Sequence, residues 1–355
     1  MSKPLLSATK VLAEEFPLEP SGEQWSIAHG TQRAIITQVG ATIRSFTDSG
    51  RSLIDGFGPG EWPQGSRGQV LAPWPNRIED GRYEFAGRHG QAALDEPDKF
   101  NAIHGLVRWL PWCLESQAQN VLVVGIDLRP TPGYPFTLRL RIEYRLSADG
   151  LSVTTEAINA GDCSLPFGLG FHPYLCASDL GSSRLWDGVL DGDTEGHGVA
   201  EGGGGVAEGG QVEGGVIDSA HLLVPAQRRL ILDSRFLPTG DSEVLAGTAY
   251  DFTSRRQIGS LHLDTPFTSL IRGDDGLARA CLTRTDGRGV ELWVDDHFGY
   301  LMVYTGDTLS DPNSRRRSVA IEPMTCPPNA FRTGRDLIVM DPGQRWSGSW
   351  GLRAI

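Results

Sequence analysis

Residues 137–146 alternate without a break. Leu138, Leu140, Ile142, Tyr144 and Leu146 are apolar, while Arg139, Arg141, Glu143 and Arg145 between them are charged. Successive side chains of a strand point to opposite faces, so a period of two puts all the apolar groups on one side and all the charges on the other. That pattern specifies a half-buried antiparallel strand. Asp149-Gly150 then supplies a turn, and Leu151, Val153, Thr155 and Ala157 alternate with Ser152, Thr154 and Glu156. The two runs predict a hairpin.

The same period recurs at 35–43, 122–128, 290–294 and 301–304, with Asp286-Gly287-Arg288-Gly289 turning the chain before 290. No long segment carries a helical period, and 45 Gly and 22 Pro cut the sequence into short pieces. The expectation is an all-β fold, a large antiparallel β-sandwich forming one domain over residues 1–355. One stretch departs from it. Ten of the twenty residues in 196–215 are glycine, none is aromatic, and G-V-A-E-G-G occurs twice. Such a segment buries too little apolar surface to offset its ordering entropy, so it reads as a mobile surface insertion, or else a lid or partner-binding loop. Strand-like sequence resumes at 222–224 and 230–232, so the insertion does not separate two domains.

Net charge narrows the partners. At −12 the chain lacks the basic footprint that nucleic acid or an anionic membrane surface requires. A small neutral molecule or another protein is the expected partner. No apolar run reaches membrane-spanning length, and Lys10, Glu14 and Glu15 interrupt any signal core near the N-terminus, so the expected location is cytoplasmic. Cys113, Cys163, Cys176, Cys281 and Cys326 are scattered and form no C-x-x-C pair, which fits reduced thiols rather than a disulfide framework or zinc site. No cofactor or metal is expected. No motif separates a monomer from a homodimer.

Chemistry concentrates in a few strings. Residues 167–175 read F-G-L-G-F-H-P-Y-L, in which Pro173 restrains His172 while Gly168 and Gly170 allow other backbone to come close. A rigid imidazole with an unperturbed pKa near 6.5 suits proton transfer, although a lone His among aromatics also fits a hydrogen-bonded core residue. Asn76 and Arg77 follow two prolines, a stiff approach that suits either hydrogen bonds to sugar hydroxyls or an ordinary Asn turn. His104 precedes Gly105 in N-A-I-H-G. Glu322, in A-I-E-P, stands in an apolar strand, where a carboxylate is costly to bury unless it is bonded or working. Trp74 and Trp293 are candidates for a sugar platform or for the core, Asp295-Asp296-His297 for a solvated turn or a cation site, and Arg315-Arg316-Arg317 for an exposed loop.

In order along the chain, N-R-I at Asn76, N-x-x-H-G ending at Gly105, F-H-P-Y around His172, P-T-G at Pro238 leading to G-T-A-Y-D-F, L-D-T-P-F around Asp264, Y-T-G at Tyr304 and I-E-P-M-T-C-P-P-N-A-F around Glu322 resemble the aldose 1-epimerase (galactose mutarotase) family. The likeness runs from about Gly40 to the end. It implies a galactose mutarotase-like supersandwich with the sugar in an open cleft on one sheet, and an isomerase that interconverts α and β anomers of a free aldose without metal or cofactor. It also implies Glu322 as general base on the anomeric hydroxyl and His172 as general acid on the ring oxygen. His104 would polarise the ring-oxygen side, and Asn76, Arg77 and Asp264 would bond the sugar. Hemiacetal opening needs one proton to leave O1 while another reaches O5, so a carboxylate and an imidazolium on opposite sides of the ring suffice. The alternatives are an enzyme for hexose 6-phosphates, for which Arg315 to Arg317 would be the phosphate clamp, and a sugar-binding protein without turnover.

Overall fold

A computed structural model describes residues 19–177 and 216–355. The Gly-rich segment 196–215 lies outside the described residues. Two large antiparallel sheets dominate. The first has nine strands in the spatial order Cys113–Ala118, Val121–Leu128, Leu138–Ser147, Gly150–Asn159, Arg345–Ala354, Gly289–Val294, Ala278–Thr283, His221–Leu223 and Arg256–Gln257. Its centre is the expected hairpin, with Leu146 opposite Leu151 and Leu140 opposite Ala157. Leu138, Leu140, Ile142, Tyr144 and Leu146 are all buried and Arg139, Arg141 and Arg145 exposed, as the alternation requires. Full burial of each such Leu or Ile stabilises by about 1.5–3 kcal/mol. The exposed arginines pair across strands, Arg139 with Asp127 and Arg141 with Glu115, where water screens them and they add little.

The second sheet has eight strands, running Pro238–Val244, Ala226–Leu232, Asp264–Leu270, Tyr300–Tyr304, Ser318–Met324, Gly170–Phe171 and Val70–Leu71, with Tyr174–Cys176 also paired to Ser318–Met324. Its inner face meets the first sheet in one core: Phe171 packs on Trp350 with ring centroids 4.9 Å apart, and Phe267, Leu301, Val303, Val319 and Ile321 join the same cluster as Leu140 and Ile142.

One expected strand is broken. The run 35–43 is two strands, Gln32–Thr37 and Ile43–Asp48, because the chain turns at Gly40. Gly40 has φ +75°, and a Cβ there would lie 2.5 Å from the Arg108 carbonyl oxygen, so the turn depends on glycine. Arg315 to Arg317, expected as an exposed loop, are exposed only at Arg315, with Arg316 and Arg317 partly buried. Arg316 bonds Asp218 and Asp307, and Arg317 bonds Asp55, which ties the segment to three other parts of the chain.

Candidate active site

All seven residues of Ser318–Met324 are buried, which means that this sheet is covered on both faces. Val319 and Ile321 enter the core between the sheets; Ala320, Glu322 and Met324 therefore face the other way. The neighbouring strands continue this outer face in register. Glu322 lies opposite Met302, Ala320 opposite Tyr304, and Tyr304 in turn opposite Asp264. Two rows of pairing thus deliver Glu322 and Asp264 to one cleft of about 390 Å³.

His172 reaches the cleft from a break in the adjoining strand, between Gly170–Phe171 and Tyr174–Cys176. The two glycines before it are needed for close approach. A Cβ on Gly168 would meet Cys326 Sγ at 2.6 Å, and one on Gly170 would meet Pro75 Cβ at 2.8 Å and the Pro323 carbonyl at 3.0 Å. The His172 N–H donates to the Gln69 carbonyl (3.1 Å), and its own carbonyl accepts from the Gly68 N–H (2.9 Å). Tyr174 stacks on the imidazole at 5.0 Å and 18°, and its hydroxyl donates to the Gly65 carbonyl. The ring is fixed from backbone and face alike. Its Nε2 lies 3.3 Å from Glu322 Oε1.

Asn76 and His104 form the opposite wall. Both have left-handed backbones, φ +56° and +64°, a conformation that costs a non-glycine residue energy and tends to persist at functional sites. Each holds the other: the His104 N–H donates to the Asn76 carbonyl (2.9 Å), and the Asn76 N–H donates to His104 Nδ1 (3.3 Å). An Nδ1 that accepts carries no proton, which assigns the proton to Nε2 and makes this ring a donor. Gly105 must follow, since a Cβ there would sit 2.1 Å from the Ala72 carbonyl oxygen. Arg77 is held by Glu96, its Nε and Nη2 donating at 2.8 and 2.9 Å, while Asn76 Oδ1 accepts from the Arg77 N–H. The cleft wall is braced before any ligand arrives.

The ionisable groups at the floor are buried. Burial lowers His172 to about 3, with the charges of Arg67, Arg108 and Arg77 adding to the effect. Burial likewise drives Glu322 well above its ordinary 4.5, and Asp264 adds repulsion that Arg77 partly offsets. Asp264 is itself raised by burial. His104 is pushed well below 6.5 by burial and by neighbouring positive charge, so it donates as a neutral imidazole. Arg77 is buried too, a cost outweighed by its bond to Glu96 and by the charges of Asp264 and Glu96, which raise it. The expectation of an imidazolium facing an ionised carboxylate is therefore corrected. Desolvation favours a neutral pair that shares one proton, the carboxyl holding it. The placement on opposite sides of a sugar is corrected as well, because the two groups are in contact.

All six residues singled out from sequence line this cleft: Asn76, Arg77, His104, His172, Asp264 and Glu322. His104, His172 and Glu322 also bring candidate ligand atoms within 4.8 Å of one another, a grouping that linear spacing did not show. Asp295-Asp296-His297 forms a turn between two strands, Asp295 accepting from the His297 and Ser349 N–H groups. The arginine triplet contributes no residue to the cleft wall, so the phosphate clamp of the alternative reading for hexose 6-phosphates is not there. Trp74 is a core residue packed edge-on to Phe331, and Trp293 packs over Gly351 in the nine-stranded sheet. The aromatics at the cleft are instead Tyr174, Tyr304, Trp62 and Trp109. Tyr174 stood in F-H-P-Y beside the histidine, whereas nothing local distinguishes Trp62 or Trp109 from core tryptophans.

A fold of two broad antiparallel sheets carrying this cleft is that of the galactose mutarotase-like proteins. The family model described as Aldose 1-epimerase matches residues 23–187 and 209–353, and the chain belongs to that family. The match begins earlier than Gly40 and passes over 188–208, which overlaps the Gly-rich segment. The chain is 30% identical over 325 residues to the uncharacterized protein YihR of Escherichia coli K12, covering 91% of each. Among solved structures it resembles the GalM/aldose epimerase homologue from C. elegans (TM-score 0.73, 17% identity, 94% of this chain and 98% of that one). It also resembles the galactose 1-epimerase from Lactobacillus acidophilus NCFM (TM-score 0.68, 18% identity, 93% and 94%). No helix among the described residues is long and apolar enough to cross a membrane.

Proposed function

We propose that this chain is an aldose 1-epimerase, interconverting the α and β anomers of a free aldose such as galactose or glucose. The observation that carries the reading is the buried contact of His172 Nε2 with Glu322 Oε1, 3.3 Å, at the floor of a polar cleft. The anomeric oxygen O1 and the ring oxygen O5 are bonded to the same carbon, so an acid and a base that serve both must themselves be close neighbours. The shared proton first passes from the Glu322 carboxyl to His172 Nε2; the carboxylate so formed takes the proton from O1 as the C1–O1 bond becomes a carbonyl, the C1–O5 bond breaks, and O5 receives the proton of His172. After rotation about C1–C2, O5 returns its proton to His172 and attacks the other face of the carbonyl, and Glu322 gives its proton back to O1. The proton on His172 then returns to Glu322, so protons and electrons balance and the pair ends as it began. His104 donates to the ring-oxygen side, and Asn76, Arg77 and Asp264 bond the hydroxyls that orient the ring.

The test is polarimetry on freshly dissolved α-glucose and α-galactose. The wild type speeds mutarotation above the buffer rate. Glu322→Gln and His172→Asn stay folded and lose on the order of 10²–10⁴ in kcat, the usual scale of acid–base assistance. A folded Glu322→Gln enzyme at the wild-type rate refutes the role of the carboxyl.

A further inference from the structure

We infer that Phe236, at the tip of the hairpin between Ala226–Leu232 and Pro238–Val244, is a positioning residue for Arg77 and, through it, for the hydroxyls of the sugar. The inference rests on the reading of Arg77 as a sugar ligand of an epimerase. The ring of Phe236 lies 4.9 Å from the central carbon of the Arg77 guanidinium, and the Lys99 ammonium stands 4.7 Å from the same ring centre. A cation is drawn to the electron-rich face of an aromatic ring, most strongly where water is displaced, and Arg77 is 8% exposed.

The hairpin tip is built to hold that ring. Phe236 has φ +60°, a left-handed backbone that is uncommon for a bulky residue and persists only where the surroundings fix it. Asp233 fixes it from within, Oδ1 accepting from the Arg235 N–H (2.8 Å) and the Leu237 N–H (2.9 Å). Arg235 fixes it from outside, its Nε donating to the Lys99 carbonyl (2.9 Å) and its Nη2 to the Phe100 carbonyl (2.9 Å). Asn101 closes the link. It is fully buried, and its Nδ2 donates both to the Arg235 carbonyl (3.1 Å) and to Glu96 Oε2 (2.9 Å), the carboxylate that grips Arg77.

Glu96 therefore holds an edge of the guanidinium and Phe236 a face. Three of its five N–H groups are used inside the protein, those on Nε and Nη2 by Glu96 and one on Nη1 by Asn76 Oδ1 (3.4 Å), which leaves two for the cleft that Arg77 lines. Two donors in a rigid plane match a pair of sugar hydroxyls only while the plane is held. Those hydroxyls do not react, so they are bonded alike before and during ring opening, and a loosened guanidinium raises KM and spares kcat.

The experiment measures mutarotation of α-glucose and α-galactose in the wild type, Phe236→Leu, Phe236→Tyr, Arg235→Gln, Arg77→Ala and the double variant Arg77→Ala with Phe236→Leu. Phe236→Leu keeps apolar bulk without an aromatic face; its KM is expected to rise about tenfold at nearly constant kcat, and Phe236→Tyr to restore it. Arg235→Gln, which frees the tip and leaves the ring intact, raises KM in the same way. With Arg77→Ala already present, Phe236→Leu adds no further rise, because no guanidinium is left to hold. An unchanged KM in folded Phe236→Leu overturns the inference, as does a loss that falls on kcat or adds in full to that of Arg77→Ala. A wild type that turns over neither sugar refutes the epimerase reading instead, and the guanidinium is then observed directly by nuclear magnetic resonance. The Arg77 Nε–H signal, assigned by its loss in Arg77→Ala, should exchange with water about tenfold faster in Phe236→Leu than in Phe236→Tyr if the ring holds it. Equal exchange in the two variants refutes the positioning role.

Discussion

Consider the single proton shared by Glu322 and His172. Moving an imidazole from 6.5 to about 3 corresponds to about 5 kcal/mol against charging His172 in the empty cleft. An ionised Glu322 at 3.3 Å would return about 5 kcal/mol through an effective dielectric of about 20. These nearly cancel, so the cost of ionising the buried Glu322, which Asp264 also faces, decides for the neutral pair. The catalytically competent form holds one proton. A second proton enters at His172, which puts the acid limb of the pH–rate profile near 3, and the shared proton leaves from the carboxyl, which puts the alkaline limb above the ordinary carboxylate range. Stopped-flow polarimetry from acid to alkaline pH reads both limbs. Residual activity of Glu322→Gln loses the alkaline limb and that of His172→Asn the acid limb. If the alkaline limb survives Glu322→Gln and vanishes only in His172→Asn, the imidazole carries the shared proton and the ordering by burial is refuted.

The same carboxyl has a thermodynamic signature. Its folded pKa is raised, so its contribution to stability is present below about 4.5 and is lost as pH rises through the folded value; Glu322→Gln should therefore gain in Tm relative to wild type as pH rises above 4.5, and a constant difference refutes a raised pKa. Gly170→Ala pushes a methyl into Pro75 and the Pro323 carbonyl, neither of which can rotate away, and should cost about 1–3 kcal/mol in denaturant unfolding while raising KM; a neutral result means that the His172 segment yields. Dialysis against chelator should leave the rate unchanged; loss restored by a divalent cation would turn His104, His172 and Glu322 into metal ligands. Replacing 198–214 by a short linker should leave turnover unchanged, because loop length alters closure entropy by only about 0.6 kcal/mol per doubling; a large rise in KM makes the segment a lid.

The sequence by itself determined the β class, because a period of two is a local property that each residue of 137–146 carries on its face, and Leu138 to Leu146 are buried in the order it dictates. It also singled out six of the residues that line the cleft, through strings of prolines, glycines and polar groups and, for Asp264, through the family resemblance. What it could not contain is the pairing of distant strands. Contact between Glu322 and His172, the proximity of Asp264, and the burial that moves their pKa values arise only when Ser318–Met324 is flanked by Tyr300–Tyr304 and by the His172 segment. Hence local reading gave an imidazolium where burial gives a neutral ring, and took Trp74 and Trp293 as candidate platforms. Burial is a property of the assembled chain: Trp74 is 2% exposed and Trp62 55%, although both sit next to a proline, and only the packing of the sheets separates them.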